Sequence, residues 1–257
     1  MTIRAERSGS LLLLTIDRPE RRNALTGAMR VALADRLEEA AGDRSVRAVL
    51  LAGAGDSFCA GADLGEFGEE AAPAARHRMQ RGGHRIVATL HAMEKPVIAA
   101  LRGHAIGLGW SIALACDLAV AAPSARFAMS HARVGLVPDC GAAWFLARTL
   151  GPMRARELIY TGRTLAAEEA HRLGLVSRIV EEAALEEQAR NLAEALAAGP
   201  SFALGLSKRL IAQGTTEPLA AVLEQEALMA PLLRQTEDFI EGTTAFREKR
   251  TPHFTGQ

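Results

Sequence analysis

Two glycine-bearing stretches hold the residues whose spacing suggests chemistry. The first, 103–139, reads GHAIGLGWSIALACDLAVAAPSARFAMSHARVGLVPD. Gly103, Gly107 and Gly109 open an apolar run over 105–116 that Asp117 breaks. Glycine admits positive φ, and a helix start leaves peptide N–H groups without intrahelical partners. Those groups carry the positive end of the helix dipole and suit an oxygen that gains negative charge during a reaction. A lone G-x-G would mark only a loosened turn into a buried core helix. The second stretch, 49–63, reads VLLAGAGDSFCAGAD and repeats the logic. A fully buried strand runs into a Gly53–Gly55–Asp56 turn, then into small residues over 58–63 where a ligand could approach the backbone closely.

Acid–base candidates stand beside these stretches. Asp139 closes a Val-Pro-Asp corner with Leu136, Val137, Trp144 and Phe145 around it. Apolar surroundings raise a carboxyl pKa toward a value useful near neutrality. The same Asp directly before an apolar helix also fits an N-cap, and the two roles are compatible. His131 either exchanges protons or shapes the pocket. Ser111 sits in an apolar helix with no flanking base. Several classes are excluded. There is no His/Asp/Glu cluster at metal-ligand spacing and no G-x-S-x-G elbow. There is also no G-x-G-x-x-G or G-x-x-x-x-G-K-[ST] loop, which argues against nicotinamide and ATP chemistry.

The elements that must position these residues follow from the apolar patterns. Strands are expected over 11–16, 47–52, 97–101 and 175–181, with a β-rich stretch over 118–129. Thr26 should cap a helix over 27–41 whose buried stripe is Met29, Leu33 and Leu37. The segment 65–85 is rich in Gly, Ala, Glu and Arg with little periodicity, so a lid or helix start is expected there. Helices follow over 84–93, 140–150 and 152–160. Thr164 should cap a short helix to 173, with Glu168 completing a capping box, and 182–198 is amphipathic. Gly199-Pro200 is the one boundary, dividing a core (1–199) from a helical region (200–257) with a stripe of Leu219, Val222 and Leu223. The strand–loop–helix repetition implies an α/β fold with parallel strands.

The chain has 257 residues, enough for one core plus an appendage. Lys+Arg 30 balances Asp+Glu 30, so nothing points to nucleic acid or an anionic membrane as partner. No run reaches the ~18 apolar residues of a membrane span. The first ten residues lack a signal peptide's order. Cys59, Cys116 and Cys140 have no C-x-x-C spacing, which fits free buried thiols and a cytoplasmic location.

The motifs IDRPERRNAL (16–25), FCAGADL (58–64), GHAIGLGWSIALACD (103–117), FAMSHARVGLVPDCGAAWFLAR (127–148) and EGTTAFREKRTPHFTG (241–256) together resemble the enoyl-CoA hydratase/isomerase (crotonase) superfamily. The resemblance spans essentially the whole chain. It implies a spiral of ββα turns with a C-terminal helical trimerisation region, assembled as a homotrimer or a dimer of trimers. It implies an acyl-CoA thioester substrate, with CoA entering as part of the substrate and no separate cofactor. The amides of Ala62 and Leu108 would hold the thioester oxygen of an enolate. Arg22, Ala24, Ala60, Asp63 and Leu64 would contact CoA, while Phe246 and Lys249 would reach the nucleotide on a neighbouring subunit. By the same carry-over His131 faces the pocket, His84 lies where the lid helix nears the acyl group, and His104 packs near the oxyanion strand.

The chain departs from the family at its acid–base pair. The two glutamates of the hydratases correspond here to Ser111 and His131, so efficient hydration by that route is not expected. Asp139 matches the acid of isomerase members, and Val-Pro-Asp-Cys-Gly with the C-terminal tail most resembles the epoxide isomerase branch of phenylacetate breakdown. The expectation is therefore an acyl-CoA isomerase. The alternatives are an enoyl-CoA hydratase with a rebuilt water site and a non-catalytic acyl-CoA-binding homologue.

Overall fold

The computed structural model describes residues 2–68 and 71–257. The chain winds in circuits, each laying a strand in one sheet, a short extended piece in a second, and then a helix. An antiparallel hairpin, β1 (Thr2–Ser8) with β2 (Leu11–Asp17), starts the first sheet. From β2 the chain passes Leu25, which bridges Ala62, into α1 (Gly27–Gly42). The second circuit is β3 (Ala48–Gly53), the loop where Cys59 bridges Ala105, and then α2 (Ala72–Met79) and α3 (Arg85–Ala92). The third is β4 (Val97–Leu101), β5 (His104–Ile106) and α4 (Leu108–Ala115). The fourth is β6 (Leu118–Ala121), β7 (Arg126–Ala128), α5 (Ala142–Leu150) and α6 (Pro152–Thr161). After β8 (Leu165–Ala166), α7 (Ala167–Arg172) and β9 (Arg178–Ile179), the chain is helical: α8 (Leu185–Ala197), α9 (Ser201–Gly214), α10 (Leu219–Leu233) and α11 (Glu237–Glu248).

The first sheet has the order β1-β2-β3-β4-β6-β9 and is parallel beyond β2; the second has the order β5-β7-β8. This is the ββα spiral that the motifs imply. The central strands carry no apolar alternation because both faces are covered. Val49, Leu51, Val97 and Ala99 pack with Leu33, Leu37 and Leu90, while Leu50, Ile98 and Val120 pack beneath Leu185, Ala189 and Ala193.

Helix α1 forms as expected, with the Thr26 hydroxyl accepting the Met29 N–H at 3.2 Å and Met29, Leu33 and Leu37 buried. Four local expectations change. The segment 65–85 holds a 3-10 turn (Leu64–Glu66), α2 and a π-helical turn (Gln80–His84) that joins α2 to α3; Glu69 and Glu70 of that segment lie outside the described residues. The capping box at Thr164 does not form, because Leu165 and Ala166 pair with β7 instead and Ala166 takes the cap position. The strand expected over 175–181 shrinks to Arg178–Ile179, which pairs with Val120 and Ala121 of β6. The fourth change, at Asp139, concerns the site.

The C-terminal helices are tied to the core through Arg47, which donates to the carbonyls of Gly199 and Phe254. On α10 the stripe faces outward: Leu219, Leu223, Leu228 and Leu232 are exposed and Met229 is buried. Among the described residues, no helix is long and apolar enough to cross a membrane.

Candidate active site

A buried asparagine aligns the first two loops. Asn23, fully buried at φ 58°, donates to the carbonyls of Ala54 and Ser57 and accepts the Arg18 N–H. The buried Arg18 guanidinium donates to the Ala24 carbonyl at 3.0 Å and to Asp63 Oδ2 at 2.6 Å. That contact, with the Gly65 N–H, holds the Asp63 carboxyl below its usual range. The Asp63 side chain is thus taken up in shaping the loop. The Ala60 N–H donates to the Arg22 carbonyl, and the Asp63 N–H to that of Leu25. Arg22, Ala24, Ala60, Asp63 and Leu64 therefore share one rim, with Arg22 and Leu64 exposed. Phe246 and Lys249 lie elsewhere, at the exposed end of α11. Arg18 and Asn23 lie inside a motif already quoted, but their roles show only in the contacts.

The two amides come from adjacent backbones. Leu25 accepts and donates on either side of Ala62, through the Asp63 N–H and the Gly61 carbonyl, so the Ala62 N–H points away from that bridge. Gly61, at φ 105°, passes so close to the start of α4 that a Cβ there would lie 2.9 Å from the Ile106 oxygen and 3.7 Å from the Leu108 nitrogen. Leu108 is the first residue of α4, where an N–H has no intrahelical acceptor. Among the described residues neither the Ala62 nor the Leu108 N–H has an acceptor. The Leu108 isobutyl group is buried and faces Gly83 of the π turn.

The acid–base corner lies next to these amides. His131 stands on the 3-10 turn Ser130–Val134, its ring 3.5 Å from where a Cβ on Gly107 would be. His131 Nε2 is 3.3 Å from Asp139 Oδ1; the imidazole is 10 % exposed and the carboxylate 25 %. Among the described residues His131 Nδ1 is buried without a hydrogen-bond partner. Ser111 Oγ lies 3.2 Å from both the Gly107 and Asp139 carbonyls, so its hydroxyl donates to one or the other and ties the corner to the α4 start. Asp139 is not a helix cap. Cys140 at φ 50° and Gly141 at φ 76° carry the chain two residues further before α5 begins, and Gly141 occupies the cap position. A non-glycine residue held at positive φ is strained. Burial, then the Asp139 charge, pushes the Cys140 thiol up, and burial pushes Cys59 up to about 12.

A cavity of 320 Å³ opens beside this corner, between His84, Val87 and Ala88 on one side and Cys140, Trp144 and Phe145 on the other. Trp144 meets Phe145 edge-on at 4.9 Å and His91 at 5.2 Å. A larger cavity of 440 Å³ shares the aromatic wall but runs toward Lys208 and Ile211 of α9, away from the amides. His104 packs against Ser57 Oγ at 3.2 Å, and burial lowers its pKa. Arg30, buried on α1, is a further charged residue near the corner that the sequence did not mark.

Spiral, amide pair and acid corner define a class of acyl-thioester enzyme, and the chain belongs to the enoyl-CoA hydratase/isomerase family, whose model matches residues 6–257. It is 39% identical over 250 residues to a 1,2-epoxyphenylacetyl-CoA isomerase of Escherichia coli K12, covering 96% of this chain and 95% of that one. It is 37% identical over 251 residues to a 2,3-dehydroadipyl-CoA hydratase of the same organism, covering 98% and 97%. The crystal structure of an enoyl-CoA hydratase from Bacillus anthracis superposes with a TM-score of 0.92 at 35% identity, covering 99% of each chain.

Proposed function

We propose that the protein is an acyl-CoA isomerase in which Asp139 carries a proton between two carbons of a thioester. The observation that carries this reading is the state of the Asp139 carboxylate. It caps no helix, stands beside two unpaired amides, and has one oxygen against His131. Ser111, at one hydratase glutamate position, is committed to backbone carbonyls.

In this mechanism the thioester oxygen accepts from the Ala62 and Leu108 N–H groups. Asp139 takes a proton from a carbon activated by the thioester; the C–H pair enters the conjugated system and the oxygen becomes negative. Each amide donor contributes ~3–4 kcal/mol at that stage. Asp139 then returns the proton to a different carbon, and the double bond has moved. His131 acts as a positioning residue, holding Oδ1. The rim from Arg22 to Leu64 receives CoA, which arrives with the substrate. The finer form of the reading is an enoyl-CoA or epoxyphenylacetyl-CoA substrate, handled in the cytoplasm by a homotrimer or a dimer of trimers. The exposed α10 stripe, with Phe246 and Lys249, supports the assembly; light scattering that finds only monomer at micromolar concentration would remove it.

The test is a panel of enoyl- and epoxyacyl-CoA thioesters with products weighed by mass spectrometry, repeated with Asp139→Asn. Isomerisation gives a product of unchanged mass with a shifted double bond or an opened epoxide, resolved by chromatography and fragmentation, while a gain of one water would establish the hydratase alternative, and binding without turnover the non-catalytic one. Asp139→Asn should lower turnover ~10²–10⁴-fold, with thioester affinity little changed, and His131→Gln should cost less. Full activity of Asp139→Asn would overturn the assignment.

A further inference from the structure

Arg30 is a buried cation without a hydrogen bond among the described residues. It is 8 % exposed, and among the described residues its guanidinium donates to nothing. Its Nη2 is fully enclosed and unpartnered. The carboxylate in reach, Glu66 Oε2, stands at 3.8 Å, beyond hydrogen-bond distance, and already accepts the Gly27 N–H at 2.6 Å. A desolvated charge in this state is costly unless something completes it. Burial, and then the neighbouring Arg78 charge, lower the Arg30 pKa, while Glu66, Cys140 and Asp139 oppose that shift.

The π turn shows where Arg30 stands relative to the chemistry. A Cβ on Gly82 would lie 3.2 Å from Arg30 Cβ. A Cβ on the next residue, Gly83, would lie 2.5 Å from Cys140 Sγ and 3.4 Å from Leu108 Cδ1. One turn of backbone therefore touches Arg30 on one side and, on the other, the Asp139–Cys140 corner and the start of α4. Among the described residues this planar fork of N–H donors has one ion-pair contact, Glu66 at 3.8 Å, and no hydrogen bond; such a fork suits a carboxylate, which it can bind through two parallel hydrogen bonds.

We propose that Arg30 binds an anionic group on the acyl chain, so that among enoyl-CoA thioesters, rather than epoxyphenylacetyl-CoA, the site favours those whose acyl group ends in a carboxylate. The inference rests on the reading that places the acyl group against Asp139. Its test does not need turnover. Saturated, unreactive thioesters in matched pairs (butyryl with succinyl, pentanoyl with glutaryl, hexanoyl with adipyl) are titrated calorimetrically into the wild-type protein, Arg30→Met and Arg30→Gln. At one chain length the carboxylated thioester should bind about tenfold or more tighter than its neutral partner, as a charge-assisted pair allows. Arg30→Met, which keeps the stem's volume, should abolish that preference and leave the neutral thioester within about twofold; Arg30→Gln carries the same test if the Met variant does not fold. No preference at any length, a preference that survives both variants, or equal weakening of both thioesters would overturn the proposal. Isomerisation of neutral enoyl-CoA without a carboxylate preference would leave the Asp139 reading standing and sink this one. A preference without isomerase activity would do the reverse.

Discussion

Gly83→Ala separates the role of the π turn from ordinary helix propensity. In a helix interior alanine is favoured over glycine by ~1 kcal/mol, so propensity alone predicts a stabler protein. The packing predicts otherwise. The new methyl would stand 2.5 Å from Cys140 Sγ, against ~3.5–4.0 Å for an ordinary contact, so something must move by about 1 Å. Cys140 has little room, being 5 % exposed and pinned at φ 50° with Gly141 directly behind it. Overpacking of this kind costs ~1–3 kcal/mol, leaving a net destabilisation of roughly zero to 2 kcal/mol after the propensity gain. Turnover should suffer more. Asp139 moves with Cys140, and a misplacement near 1 Å at a reacting group can cost up to ~10²-fold. Thermal melts and steady-state turnover on an isomerised thioester measure both effects. Cys140→Ala removes the clashing sulfur, so Gly83→Ala/Cys140→Ala should recover activity and show the full propensity gain, a coupling of ~0.5–3 kcal/mol. If Gly83→Ala melts higher than the wild type and turns over normally, or the double variant is merely additive, the turn does not set the corner.

Two further outcomes follow from single contacts. Ala62→Pro removes an N–H that takes no part in the Leu25 bridge, so the protein should keep its circular dichroism and melting behaviour while turnover falls ~10²–10³-fold; unchanged turnover would place the thioester oxygen elsewhere. Glu241 accepts from Arg250 through both oxygens and from the His253 N–H, and these bonds hold its pKa at about 2 against 4.5. A depressed folded-state pKa adds stability above the unfolded value and loses it as pH falls. The wild type should therefore melt above Glu241→Gln near pH 7, and the gap should close as pH falls from about 4.5 to about 2; a gap constant with pH would assign the effect to neutral hydrogen bonds.

How much could be read beforehand varied with the physical signal. β3 and β4 show as unbroken apolar runs because helices cover both their faces, and α1 shows because Thr26 and the Met29 stripe agree. The amide loops show because only small residues allow backbones as close as Gly61 to Ile106 and Leu108. β1 was not visible: in TIRAERS only Ile3 is buried, and the strand exists because β2 offers it an edge. The π turn in QRGGH has no periodic signature. Arg30 has no sequence signature because it stands one position off the Met29 stripe and packs against Gly82 of the π turn, far along the chain. Asp139 looked like a cap because positive φ at Cys140 and Gly141, which delays α5, cannot be inferred for a cysteine.

The Ser111 tether has an evolutionary side. The hydroxyl at 111 is fully buried and links the peptide before Leu108 to the peptide of Asp139. Replacing it with the glutamate of related hydratases would force a longer, charged side chain into closed space and, in the same step, release the corner. Replacing His131 with glutamate alone would set a second carboxylate within reach of Asp139, and two like charges that close resist joint ionisation. If Asp139 carries the proton as proposed, single-residue routes from this site to a paired-glutamate site run through intermediates that neither add water nor shift a proton well. Positions 111, 131 and 139 should then be inherited as a block, and activity would be transplanted between branches of the family by exchanging all three together.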